Sequence, residues 1–340
     1  MRESRLDVIR LIAIGMIVTF HFVGIMGRFD TFFYGYANGG WGSVGCTIFF
    51  LLSGFVLTMA SEYHNTSVKQ FYRKRFLAIF PALWIAWILS YIIYLVKFQD
   101  PLFGGAPWKL IFTVIGFDGY LPYFGMSSYA LVGEWFTGMI ILIYLVFPLW
   151  NRMMKKQPEL ILLVMTVIYF VHAILYPTNC MLPIDVTPIT GLWVETVGIY
   201  LAMKREKIKT MPWLVLPLVV GVVVIITIKL PWFTMPWKNF LGIFLFMILY
   251  LFPECFRDDR TGESIIPLWI QNMFNAIEVR IYALYLVHHF VLYRMQEVLA
   301  PYIFGWKRVV IYYIAYLFIS FAFADLVYRL TRYVTKRKEK

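Results

Sequence analysis

Ten stretches of this sequence are long and apolar enough to cross a bilayer, and that repetition leaves few architectures open. A span needs roughly 20 mostly apolar residues. The candidates run approximately over 6–26, 42–60, 76–96, 128–150, 159–176, 186–203, 213–229, 237–253, 276–296 and 308–330. Hydrophobic residues fill 61% of the 340 positions and charged residues only 15%, so little chain remains for a soluble domain. Inside lipid each segment must satisfy its own backbone polar groups, which selects helices for runs of this length. The expectation is an all-α integral membrane protein of about ten transmembrane helices. Residues 1–335 would form one transmembrane domain and residues 336–340 a basic tail.

Loop charges set the orientation, because cytoplasmic loops carry an excess of Lys and Arg. With the N-terminus inside, the cytoplasmic segments hold Lys69, Arg73, Lys74 and Arg75, then Arg152, Lys155 and Lys156, then Lys204, Arg205, Lys207 and Lys209. The last of them carries Arg332, Lys336, Arg337, Lys338 and Lys340, whereas the opposite loops hold only scattered cations such as Arg28, Lys97, Lys109 and Lys307. An even number of spans puts both termini in the cytoplasm, in agreement with the basic tail. The net charge of +12 is thereby accounted for by anionic membrane lipid, with no need of a nucleic-acid partner. The first apolar segment lacks a small-residue cleavage site, so no cleavable signal peptide is expected.

Cys46, Cys180 and Cys255 make neither a metal-binding spacing nor a disulfide framework, and no metal is expected. Cys46 and Cys180 both fall toward the outer side, where a bridge is permitted without being implied.

Arg10 and His21 both lie within the first apolar segment. Eleven helical steps turn through about 1100°, so the two share a face and stand about 16 Å apart along the axis. Asp7, Arg10, Ile14, Ile17 and His21 form one stripe, expected to point into the protein because charged groups in lipid are costly. Taking the topology above, His21, Glu134 and the pair His288–His289 all fall in the outer half of their spans, and Arg10 lies deeper. A histidine with a carboxylate suits general-base chemistry, in which the acid orients the ring and stabilises the imidazolium. The bland alternative is that each is a satisfied polar residue bridging helices, and for His172, alone in its span, that reading is preferred. Glu278, Tyr282, Tyr285 and His289 follow helical spacing, so periodicity favours His289 over His288.

Arg73, Lys74 and Arg75 stand together where the third span meets the cytoplasm. They suit either the phosphates of a nucleotide-bearing donor or ordinary interfacial anchoring. The long outer loop 97–127 is rich in glycine and aromatics, and its Leu110–Phe117 stretch is too short to span. The inner loop near 254–274 carries mixed charge and reads as a solvated connection.

Taken in order, these segments resemble the acyltransferase-3 family of membrane O-acyltransferases. Arg10 and His21 match its Arg-x10-His motif; Phe49-Phe-Leu-Leu-Ser53-Gly54-Phe-Val56 is similar to its second-span signature; Arg73–Trp84 is similar to its basic third-span segment. Gly133-Glu134-Trp-Phe136 with Tyr144 and Pro148 resembles the fourth-span motif, and Tyr285-Leu-Val-His288 the late Tyr-Leu-x-His element. Two elements depart from the pattern: Ala78 stands where the second arginine of Arg-x-x-Arg would fall, and Tyr328–Tyr333 replaces the closing Glu-x-Pro.

The resemblance implies transfer of an acyl group, usually acetyl, from cytosolic acyl-CoA to a hydroxyl of an envelope glycan or lipid-linked saccharide. It implies His21 as general base and Glu134 as its partner, with Arg10, Arg73, Lys74 and Arg75 toward the donor. Ser53, Tyr285, His288 and His289 form a secondary set, and acetyl-CoA serves as substrate with no bound cofactor. Many relatives carry a fused extracytoplasmic esterase-like domain. None is expected here, so the acceptor would come to the membrane domain or a partner protein would finish the transfer. A bacterial cytoplasmic membrane is the expected location. The competing reading is a transporter of a glycan or lipid-linked precursor, which buried ionisable groups in a helical bundle would also suit. Against it, no internal repeat of the kind many carriers show is visible.

Overall fold

The computed structural model describes residues 4–63, 67–176, 180–229, 237–252, 276–299 and 305–336. Along the chain these residues form α1 (Ser4–Ile25), a small antiparallel hairpin of β1 (Gly35–Tyr36) and β2 (Gly39–Gly40), α2 (Trp41–Tyr63), α3 (Val68–Phe98) and α4 (Leu110–Ile115). There follow α5 (Glu134–Lys156), α6 (Pro158–Leu175), α7 (Pro188–Met203), α8 (Arg205–Lys209), α9 (Val215–Thr227), α10 (Trp237–Leu251), α11 (Ile281–Leu299) and α12 (Trp306–Lys336). Each of the ten apolar stretches contains a helix. Six of these, α1, α2, α3, α5, α6 and α12, are long and apolar enough to cross a membrane, while α7, α9 and α10 are apolar but shorter. The chain is an all-α membrane protein. The charged inner loop 254–274, Cys255 and the end of the basic tail lie outside the described residues, and Cys46 and Cys180 are not joined in a disulfide.

Contacts divide the chain into two compact units: Met1–Ser67 with Leu145–Glu278, and Val68–Tyr144 with Val279–Lys340. In the first unit α2 is the central helix, packed on α1, α7 and α10. Val44, Ile48, Leu51 and Thr58 along it are fully buried. Its closest approach is to α7. A Cβ at Gly54 would strike the Glu195 carbonyl, and one at Gly198 would strike the Leu51 carbonyl. Two apolar helices in lipid gain little from further burial, so small residues that let backbones meet supply the association. This explains the glycine in the Ser53-Gly54 pair as a packing requirement.

Hydrogen bonds between side chains tie the same helices laterally. Thr47 Oγ1 donates to Asn239 Oδ1 at 2.7 Å, and Asn239 Nδ2 donates to the Tyr169 hydroxyl at 2.9 Å, linking α2, α10 and α6. The Tyr169 ring stacks on Trp193 of α7 with centroids 3.8 Å apart. Asn38, in the hairpin turn, donates to the Ile225 and Ile228 carbonyls at 2.6 and 2.7 Å. It thereby serves acceptors that the end of α9 leaves without helical partners.

In the second unit the segment expected to be too short to span is indeed short: α4 has six residues and stops at Gly116, whose φ of +79° makes a left-handed cap. It lies against α3 near mid-length, where Trp84 Nε1 donates to the Val114 carbonyl at 2.9 Å. One turn along α3, Trp87 Nε1 donates to the Tyr129 carbonyl at 2.8 Å. Thus two indoles of α3 hold both ends of the loop region that leads to α5. Arg280 and Asp325 join the start of α11 to α12 at 2.6 Å. Ile311, Ile314 and Phe318 share one exposed face of α12, as a lipid-facing stripe should, whereas Tyr312 and Tyr316 on another face are buried.

Gly54→Ala is expected to destabilise the detergent-solubilised protein by about 1–3 kcal/mol, because the added methyl has only backbone to push against. Gly15→Ala, where a Cβ meets nothing within 4 Å, serves as the control and should leave the thermal midpoint unchanged or slightly raised. Equal midpoints for the two variants would contradict the packing account.

Candidate functional site

In the first unit the stripe on α1 faces inward. Asp7 is 1% exposed, Ile14 and Ile17 are buried, and Arg10 and His21 are half-buried. Arg10 Nη1 lies 2.9 Å from Asp7 Oδ1 and 2.8 Å from Glu278 Oε1. A guanidinium held between two carboxylates is well compensated in a poorly solvated place. Asp7 is i−3 on the same helix, whereas Glu278 comes from 268 residues along the chain. The His21 ring meets the Phe20 ring edge-on, with centroids 5.1 Å apart.

Ser53 does not stand alone. Its hydroxyl lies 3.4 Å from Oε1 of Glu195, a carboxyl that is 1% exposed in the middle of α7. Sequence reasoning passed over Glu195, although the signal was the one used for Arg10: an ionisable residue inside an apolar run, here Leu192-Trp-Val-Glu195-Thr-Val-Gly198. It also passed over Asp185 and Lys238, which pair at 2.6 Å, with the Ser43 hydroxyl 3.2 Å from the same carboxylate oxygen. His172, read as a satisfied polar residue, has its Nε2 3.0 Å from the Thr187 hydroxyl, in keeping with that reading.

In the second unit the three adjacent cations separate. Arg73 and Lys74 are exposed, while Arg75 turns in beneath aromatic faces, its guanidinium carbon 5.9 Å from the Phe71 centroid and 5.5 Å from that of Tyr144. Successive helical residues point about 100° apart, so adjacent cations do not converge on one anion without bending of their stems. Arg75 is accounted for by cation–π contact. Arg73 and Lys74 are the pair that reaches solvent.

Glu134 is the first residue of α5, and its side chain lies outside what the structure describes. The residue before it, Gly133, has φ of +83°, in the left-handed region. Its carbonyl accepts from the Tyr285 hydroxyl at 2.7 Å and from the Thr137 hydroxyl at 2.6 Å. His288 is 1% exposed, with Nδ1 2.6 Å from the Tyr285 carbonyl. A carbonyl only accepts, so Nδ1 carries a proton. His289 is half-buried, its ring 4.8 Å from that of His288 and 5.6 Å from Tyr293.

The periodic stripe that favoured His289 began at Glu278. In the structure Val279 and Arg280 form a turn and α11 starts at Ile281, so Tyr282, Tyr285 and His289 lie within one helix and Glu278 lies before it.

The loop residue Asp118, outside the spanning helices, is 4% exposed. Burial pushes its carboxyl up to about 6, against the opposing pull of the Thr113 hydroxyl and the Gly119 amide. Among the aromatics of the same loop, Phe103 packs on Tyr94 of α3 and on Tyr129 at 4.4 and 5.1 Å, and Phe117 packs on Tyr120 at 6.1 Å. Trp108 and Phe124 are well exposed.

An all-α membrane protein with inward ionisable groups on its first helix is a class shared by enzymes and carriers. Comparison with known families resolves which lineage this is. The acyltransferase-3 profile, described as an acyltransferase domain, matches residues 3–329, and the chain belongs to that family. Acyltransferase MdmB of Streptomyces mycarofaciens is similar, at 31% identity over 118 residues. That stretch covers 34% of this chain and 30% of the Streptomyces protein. No solved structure matches.

The raised Asp118 carboxyl has a consequence for stability. Well below pH 4 it is protonated in folded and unfolded chains alike; as pH rises through about 4 toward about 6 the unfolded chain ionises first, and the folded state loses stability. Thermal midpoints in detergent should therefore show Asp118→Asn gaining on wild type between about pH 4 and pH 7. A constant difference across that range would contradict the assignment.

Proposed function

We propose that this protein is a membrane O-acyltransferase that moves an acyl group, acetyl in the first instance, from cytosolic acyl-CoA to a hydroxyl of an envelope glycan or lipid-linked saccharide. Family membership supports the reaction class. The observation that carries the residue assignment is the inward stripe of α1, which keeps Arg10 and His21 inside the first unit with Asp7, Ile14 and Ile17 buried between and around them. In this reading about ten helices cross the bacterial cytoplasmic membrane with both termini inside.

His21 acts as general base. It takes the proton of the acceptor hydroxyl as that oxygen bonds to the thioester carbon, the carbon–sulfur bond breaks, and the proton passes on to the departing CoA sulfur. Glu134 supplies the carboxylate of the acid–base chemistry. Arg10, already clasped by Asp7 and Glu278, fixes α1, and a phosphate would have to displace those carboxylates to reach it. The exposed Arg73 and Lys74 are therefore the better donor contacts, with Arg75 anchored behind them. Ser53, Tyr285, His288 and His289 support the site. The acceptor comes to the membrane domain, or a partner protein completes the transfer.

His21→Ala, folded as judged by its thermal midpoint, is expected to lose about 10²- to 10⁴-fold in acceptor-dependent release of CoA. Retention of full turnover would remove His21 from the mechanism. Arg73→Ala with Lys74→Ala should raise KM for acyl-CoA several-fold with kcat little changed, the signature of uniform binding. An unchanged KM would leave these cations as membrane anchors.

A further inference from the structure

We infer that Tyr285 is a positioning residue for Glu134, acting through the Gly133 carbonyl; the inference rests on the acid–base role proposed for Glu134. The Tyr285 hydroxyl, on α11, donates at 2.7 Å to the carbonyl of the residue immediately before Glu134. The two lie 152 residues apart in sequence, within the same compact unit.

The Gly133 carbonyl has no need of this third donor. It already accepts the Thr137 backbone N–H at 3.3 Å, the ordinary bond that opens a helix, and the Thr137 hydroxyl at 2.6 Å. A phenol added to a satisfied carbonyl contributes direction. The peptide joining Gly133 to Glu134 is held from one side by the first turn of α5 and from the other by α11. Only glycine fits before Glu134: at φ of +83° a side chain is strained, and a Cβ there would lie 2.8 Å from Thr137 Oγ1 and 3.1 Å from Leu286. Tyr285 is held in turn. It is buried, its ring lies 5.0 Å from that of Phe136, and its own carbonyl is taken by His288 Nδ1 at 2.6 Å. One tyrosine thus joins the two sequence elements that carry Glu134 and His288. A plain structural account, that a buried phenol needs some acceptor, explains the bond but not why the acceptor is this peptide.

The test is a double-mutant cycle on the full-length protein in nanodiscs, with release of CoA from acetyl-CoA in the presence of envelope glycan as the readout. Tyr285→Phe removes only the hydroxyl. It is expected to lower kcat about ten- to a hundredfold with KM for acetyl-CoA unchanged, as small misplacements of acid–base groups do. In the Glu134→Gln background the same substitution should cost nothing more. A loss of the same size in both backgrounds, or no loss in either, overturns the inference while leaving Glu134 in place. Full turnover by Glu134→Gln alone overturns the Glu134 assignment and this inference with it. Should Tyr285→Phe fail to fold, Thr137→Val removes the other side-chain donor to the same carbonyl and is read by the same cycle.

Discussion

A charged side chain on an apolar helix must meet a partner or water, and that requirement organises both compact units. Arg10 lies between Asp7 and Glu278, Lys238 pairs with Asp185, Arg205 with Glu62, and Arg280 with Asp325. Most of these pairs join helices that are distant in sequence, so each fixes a register that apolar packing alone would leave loose. Dispersion between close backbones then supplies the cohesion, greatest where α2 meets α7 at Gly54 and Gly198. Residues that resemble a chemical motif can in this way be structural. Gly54 admits α7, and Arg75 sits under aromatic rings.

The sequence shows much of the helical framework because hydropathy is a local property. The inward face of α1 follows from the spacing of Asp7, Arg10, Ile14, Ile17 and His21, and the structure has that face inward. Partners are not local. Nothing near Ser53 points to Glu195, and nothing near Asp185 points to Lys238, because each pairing depends on how separate helices pack. Of the stripe on the eleventh helix, Tyr282, Tyr285 and His289 keep their spacing within α11, and Glu278 lies beyond the turn at 279–280.

The cations at the start of α3 show how three adjacent charges acquire different roles. Arg73 and Lys74 remain with solvent, whereas Arg75 exchanges water for the faces of Phe71 and Tyr144. Ala78 stands where the family pattern has a second arginine, so charge for a donor phosphate would come from the residues before Arg75 instead of after it. At the start of α5, the backbone just before Glu134 is held in place. A left-handed glycine, a helix-opening threonine and a tyrosine from α11 all converge on one carbonyl.

The most direct test of the central claim is to supply the purified wild-type protein with acetyl-CoA labelled in the acetyl group, together with an envelope glycan extract, and to follow free CoA and label in the glycan together. The account predicts acceptor-dependent release of CoA matched mole for mole by alkali-labile label in the glycan fraction, as an O-ester requires. Movement of unlabelled glycan across a vesicle membrane with no CoA released would contradict it and make the protein a carrier.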